Sequence, residues 1–226
     1  FLDFDYSKKL KTKKKQIIFI CDHASNKIPK KYENLGLQTE NILSHIAWDI
    51  GAKLISLKLA KEMKACCFLS NFSRLIIDPN RELKDKDLIA RNSFGVNIPG
   101  NKKISNKEKM QRFKSFHNKY HEGLSSIIEK KKLIKRELVL FSIHSFTKKS
   151  LFFDRPNEIG LLWNKDMSVA IPLYKELNKL NINVGNNFPY PGFYFNYTLD
   201  RHSLNGEIKN LSIEIRNDLI CNKKGI

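Results

Sequence analysis

Gln16–Asp22 reads QIIFICD and runs straight into His23. An unbroken apolar run of this length, with no polar alternation, is the signature of a strand covered on both faces. Leu138–Ile143 (LVLFSI) repeats the pattern and ends at His144. Between and beyond these runs the pattern alternates. Ile42–Glu62 has helical period, with Ile46, Ile50, Leu54, Leu57 and Leu59 on or near one side. Ala65–Ser70 and Leu75–Ile77 read as short strands. Ser105–Glu108 is a capping box that opens a helix carrying Met110, Phe113, Tyr120, Leu124 and Ile127 toward the core. Glu158–Trp163, Ile182–Val184 and Leu211–Arg216 are further strands, and Met167–Leu180 is a helix marred by Pro172. Strands that alternate with helices predict a single-domain, three-layer αβα protein with a mixed, mostly parallel central sheet.

The chain has 226 residues, 41% of them hydrophobic, enough for one substantial core. Mean hydropathy is -0.42, and no apolar stretch approaches a membrane span. Residues 1–15 form a Lys-rich lead-in without the apolar block of a secretory signal, and the domain proper is expected over 16–226. The chain opens on Phe1 rather than Met, as a trimmed chain does. A cytoplasmic protein with no membrane partner is expected. The net charge of +18 is uneven, with +4 in residues 1–15 and +9 in residues 101–136. Such a balance raises a polyanion partner. No recognisable binding motif accompanies it, and the Lys run falls on the outer face of a helix, so nucleic acid is not the expected partner. Cys21, Cys66, Cys67 and Cys221 form no C-x-x-C pair and read as free thiols of a reducing compartment.

Ligands of open α/β sheets bind beyond the carboxyl ends of the strands. His23 and His144 both follow such ends, so they can share one rim and hold a metal ion. A carboxylate must complete the set, and Asp22, Asn26, Asp49 and Asp78 are the polar residues within reach. Asn26 stands where H-x-x-E would place a Glu, but an amide is a poor zinc ligand. Asp49, amid apolar neighbours, needs a partner. Asp78 can instead orient an arginine or a ligand histidine from behind. Ser73–Arg81 (SRLIIDPNR) packs Arg74, Asp78, Asn80 and Arg81 together, a set suited to a carboxylate and an oxyanion. Glu214 and Arg216 share one face of a late strand, and a Glu there can serve as general base beside an activated water. His117 and His121 have H-x-x-x-H spacing, but H-E-x-x-H is absent, and a structural role is expected. In the loop Gly185–Gly192, Asn187 and Tyr190 are the polar handles, with Tyr190 placed to meet substrate.

The blocks CDHASNKIP, HIAWDIGA, SRLIIDPNR, SIHSFT, RPNEIGLLW, NNFPYPG and IEIRNDL occur in this order from about Cys21 to Leu219. Together they make the chain resemble the N-formylglutamate amidohydrolase family. The resemblance implies a fold like the zinc carboxypeptidases and aspartoacylase, one zinc ion, and cleavage of an N-acyl amino acid, in the named case N-formyl-L-glutamate to formate and glutamate. It implies His23 and His144 as metal ligands and Glu214 as the base. It also implies Asn80 and Arg81 on the substrate carboxylate and Arg74 on the scissile carbonyl. Asn26 departs from the H-x-x-E of the related enzymes; Asp49 is the expected third ligand, with Asn26 as the alternative. Manganese and iron stay open as ions, with zinc favoured by the ligand types. The rival readings are an amidase or peptidase of the same fold acting on another acylated compound, and a basic nucleic-acid-binding protein on a hydrolase scaffold.

Overall fold

The computed structural model describes residues 1–6, 15–150, 153–222 and 225. Along the chain lie β1 (Leu2–Asp5), β2 (Lys15–Cys21), α1 (Thr39–Leu43), α2 (Ala52–Glu62), β3 (Cys66–Leu69), β4 (Asn92–Ser93) and β5 (Val96–Asn97). Then come α3 (Asn106–Arg112), α4 (Lys119–Lys132), β6 (Glu137–Phe146), β7 (Ile159–Leu162), α5 (Ala170–Lys179) and β8 (Val184–Asn186). The last elements are α6 (Gly192–Phe195), α7 (Tyr197–His202), β9 (Lys209–Arg216) and α8 (Asn217–Ile220).

Seven strands form one sheet in the order β1-β3-β2-β6-β9-β7-β8. The four central strands β3, β2, β6 and β9 run parallel, while β1 and β7 pair antiparallel to β3 and β9. The αβα reading therefore holds. Its cause is visible within β2, where Ile18 and Ile20 belong to the core under α4 and Phe19 and Cys21 to the core under α2. Successive side chains point to opposite faces, so a strand covered on both faces must be apolar throughout. Leu2–Asp5, part of the Lys-rich lead-in in the sequence reading, supplies the edge strand β1 and seats Phe1 on Phe68. No helix among the described residues is long and apolar enough to cross a membrane.

Three local expectations need correction. The helical period of Ile42–Glu62 spans two helices, with residues 44–51 in turns between them. Gly51, at φ +84°, makes the reversal into α2, and a Cβ there would collide with Ile220. Leu75–Ile77 is not a strand but a fully buried loop, held by backbone bonds such as Ile76 to Ser73 and Asp78 to Leu88. The capping box does open α3, with Ser105 Oγ accepting from Glu108 N at 3.1 Å, but Met110 on that helix is exposed. A π-turn over Phe113–Asn118 joins α3 to α4 and delivers His117 and His121 to the interior.

Candidate metal and catalytic centre

Because β2, β6 and β9 are neighbours, their carboxyl ends bring three polar side chains to one rim. His23 follows β2, and His144 on β6 stands opposite Glu214 on β9 in register. The His23 and His144 rings lie 5.1 Å apart between centroids, and both are buried. Asp49 reaches them from the turn before α2, tied down by its own N–H donating to His23 O at 2.9 Å. Its Oδ2 lies 2.9 Å from His144 Nδ1 and 3.3 Å from His23 Nδ1. Among the described residues, His23, Asp49 and His144 form a group whose ligand atoms lie within 4.8 Å of one another.

The outer nitrogens are also assigned. His23 Nε2 donates to Asp78 Oδ1 at 2.8 Å. His144 Nε2 lies 2.8 Å from Ser142 Oγ and 3.3 Å from Asp22 Oδ2. Each imidazole thus turns one nitrogen to a buried carboxylate and the other to a shared point. That is how metal-binding histidines are oriented. The donor set of two imidazoles and one carboxylate, with Asp49 Oδ1 and Glu214 Oε2 buried and without hydrogen-bond partners, fits a divalent cation with an open position. Without an ion the same groups form a charge cluster. Burial pushes the His144 imidazole down, but bonds to Asp22 and Asp49 outweigh it and hold its pKa well above the ordinary value. Burial raises the Asp49 carboxyl, yet the charges and bonds of His23 and His144 hold it well below the usual range. Asp22, fully buried, is held at about 2, where bonds from His144 and Tyr120 overcome the burial cost. Tyr120 OH and Thr198 Oγ1 donate to its Oδ1 at 2.7 and 2.9 Å.

Beyond this group lies a cavity of about 280 Å³, whose lining includes His45, Arg74, Arg81, Phe94, Arg155, Tyr190 and Glu214. Tyr190 OH donates to Glu214 Oε1 at 2.5 Å. Burial, with the nearby Asp49 charge, holds the Glu214 pKa above the ordinary value despite opposing pulls from His144 and Tyr190. Arg74 donates to Asp78 Oδ2 at 2.8 Å and lies 3.2 Å from His23 Nδ1. Arg81 lines the cavity while pairing with Asp85 at 2.9 Å. Asn80 lines it too, but donates to Phe195 O and accepts from Thr198 N, clamping α6 and α7 to the Asp78 loop.

Two sequence-selected residues lie elsewhere. Asn26 donates to Ile42 O, and Arg216 to Asp218 and Pro156 O; neither lines the cavity. Residues that sequence reasoning did not select include His45, Phe94 and Arg155 on the cavity wall, and Tyr120 and Thr198 behind Asp22. Burial lowers His45 to about 4, so it is neutral. Tyr120 carries a readable signal only in part, since a tyrosine in a fully apolar stripe needs a partner for its hydroxyl.

A histidine–carboxylate centre at the strand ends of a mostly parallel sheet, with an inward glutamate beside it, has the groups of a candidate metal-assisted hydrolytic site. The profile of the family described as N-formylglutamate amidohydrolase matches residues 15–221. The chain belongs to that family. A gene product from Agrobacterium tumefaciens of known crystal structure is 32% identical, with a TM-score of 0.92 over 99% of this chain and 87% of its own. The crystal structure of an N-formylglutamate amidohydrolase from Ralstonia eutropha shares the fold at 18% identity, with a TM-score of 0.64 over 90% of this chain and 82% of that one. No curated protein sequence matches the chain.

Proposed function

We propose that this protein hydrolyses the amide bond of an N-acyl amino acid, N-formyl-L-glutamate to formate and glutamate, with a divalent cation, zinc by ligand type, on His23, Asp49 and His144. The observation that carries the reading is that both Nδ1 atoms face one Asp49 oxygen while both Nε2 atoms are tied to buried carboxylates. The cation would supply Lewis acidity and a water acidified toward neutral pH. Glu214 takes the proton of the attacking water at its unpartnered Oε2, with Tyr190 fixing the other oxygen. As water adds to the formyl carbon, the Arg74 guanidinium faces the growing negative charge on the carbonyl oxygen. The C–N bond then breaks, and the proton held by Glu214 passes to the departing nitrogen. Asp78 and Asp22 hold the two imidazoles in orientation from behind.

Formate release from N-formyl-L-glutamate by purified protein, with metal content measured on the same sample, tests this. Near-stoichiometric zinc, and a Glu214→Gln variant that keeps the metal but loses turnover, are the expected results. Turnover only of N-acetyl or N-succinyl substrates would reject the formyl assignment, and full activity of metal-free protein would reject the cation.

A further inference from the structure

The cavity is lined by three arginines, and two of them are already balanced by protein carboxylates: Arg74 by Asp78, and Arg81 by Asp85 and Asp78. Asn80, beside them, spends both ends of its amide on Phe195 and Thr198. Arg155 differs. No carboxylate pairs with it among the described residues, and its buried Nε–H has no hydrogen-bond partner. Its guanidinium is nonetheless fixed in place. One nitrogen donates to Thr147 O and Oγ1, each at 3.2 Å, and the group lies 5.8 Å from the Tyr190 ring centroid and 5.9 Å from that of Phe146. It therefore stands over Tyr190, which orients Glu214, the group that hands its proton to the departing nitrogen in the proposed reaction.

A planar fork of donors held rigid in a partly buried cavity, with unbalanced charge and a spare N–H, is built for a carboxylate. We propose that Arg155, rather than the Asn80–Arg81 pair, supplies the subsite that binds a carboxylate of the amino-acid half of the substrate. This rests on the amidohydrolase reading, and it assigns selectivity for free-acid substrates to the wall formed by Arg155 and Tyr190.

The test measures binding of glutarate, a dicarboxylate with no amide to cleave, by calorimetry on metal-loaded wild type, Arg155→Gln and Arg155→Lys. It also measures KM for N-formyl-L-glutamate against N-formylbutylamine, which carries no carboxylate. Arg155→Gln is expected to weaken glutarate at least tenfold and raise the KM for N-formylglutamate similarly, with a much smaller change for N-formylbutylamine. Arg155→Lys keeps the charge without the fork and is expected to fall between. Because Arg155 also donates to Thr147, this second variant keeps the test usable if the first fails to fold. Unchanged glutarate binding in Arg155→Gln, or equal losses on the charged and uncharged amides, would overturn the proposal. Wild type that binds glutarate but cleaves neither formyl compound would reject the functional reading while leaving the Arg155 comparison intact.

Discussion

His23 and His144 face carboxylates, whereas His117, His121 and His202 face carbonyls and one another. In the second cluster, His117 Nε2 donates to Arg81 O at 2.8 Å and His121 Nε2 to Pro79 O at 2.9 Å. With that proton placed, His121 Nδ1 accepts from His202 Nε2–H at 2.9 Å. Among the described residues no carboxylate bonds to these rings, and burial lowers His121 to about 2 and His202 to about 4. In the first cluster, Asp22, Asp49 and Asp78 reverse that effect of burial, and the imidazoles are raised. The same residue type becomes a charged group of a candidate ion site or a neutral strut according to what faces its second nitrogen. The two clusters meet at one loop, since the struts pin Pro79 and Arg81 and thereby fix Asp78 on His23.

Substitutions should separate the two. His144→Ala is expected to drop metal to trace and turnover by roughly 10³-fold or more, the scale seen when a centre that works as a unit loses a member. Metal analysis and formate release on one preparation check this. Glu214→Gln should keep the metal and lose about 10²–10⁴-fold in turnover, the range for a removed general base. Metal loss in that variant would show that Glu214 ligates instead. His121→Leu should keep the metal but lower the thermal midpoint. It leaves His202 Nε2–H buried without a partner, at about 1–3 kcal/mol, and Pro79 O with only the long contact from Thr198 Oγ1 at 3.5 Å. Asp22→Asn, which removes the charge behind His144 and perturbs the bonds that Tyr120 and Thr198 donate to Asp22, should weaken metal binding by about 10–100-fold, read by chelator competition.

The clusters also differ in pH dependence, and the sign is opposite between them. His202 and His121 are depressed from 6.5 to about 4 and about 2, so their contribution to stability is present above pH 6.5 and is lost as pH falls toward those values. The slope is about 1.4 kcal/mol per unit per group at most. In metal-free protein His144 is raised, so its contribution is present below 6.5 and is lost as pH rises through the raised value. Denaturant melts across pH, with His202→Gln flattening the acid limb and chelation adding the alkaline one, measure both.

The buried strands and the two rim histidines were legible because an apolar run that stops at a histidine is a local signal. Asp49 was legible as a charge amid apolar neighbours, but its setting was misread. The period of Ile46, Ile50 and Leu54 continues across a turn, and only Gly51, just before α2, marks the break. Leu75–Ile77 misled for the same reason, since a short apolar run cannot distinguish a strand from a buried loop. Arg155, Thr198 and His202 had no local signal for their roles, and Tyr120 only a partial one. Their partners lie on distant elements, as with Thr198 on Asp22, and only the folded sheet brings them together.

The metal content of wild type, His144→Ala and His121→Gln, purified side by side, tests the central claim most directly. The expected result is close to one equivalent in wild type and in His121→Gln, and trace metal in His144→Ala. Equal metal in all three, or a metal-free wild type that releases formate at full rate, would contradict it.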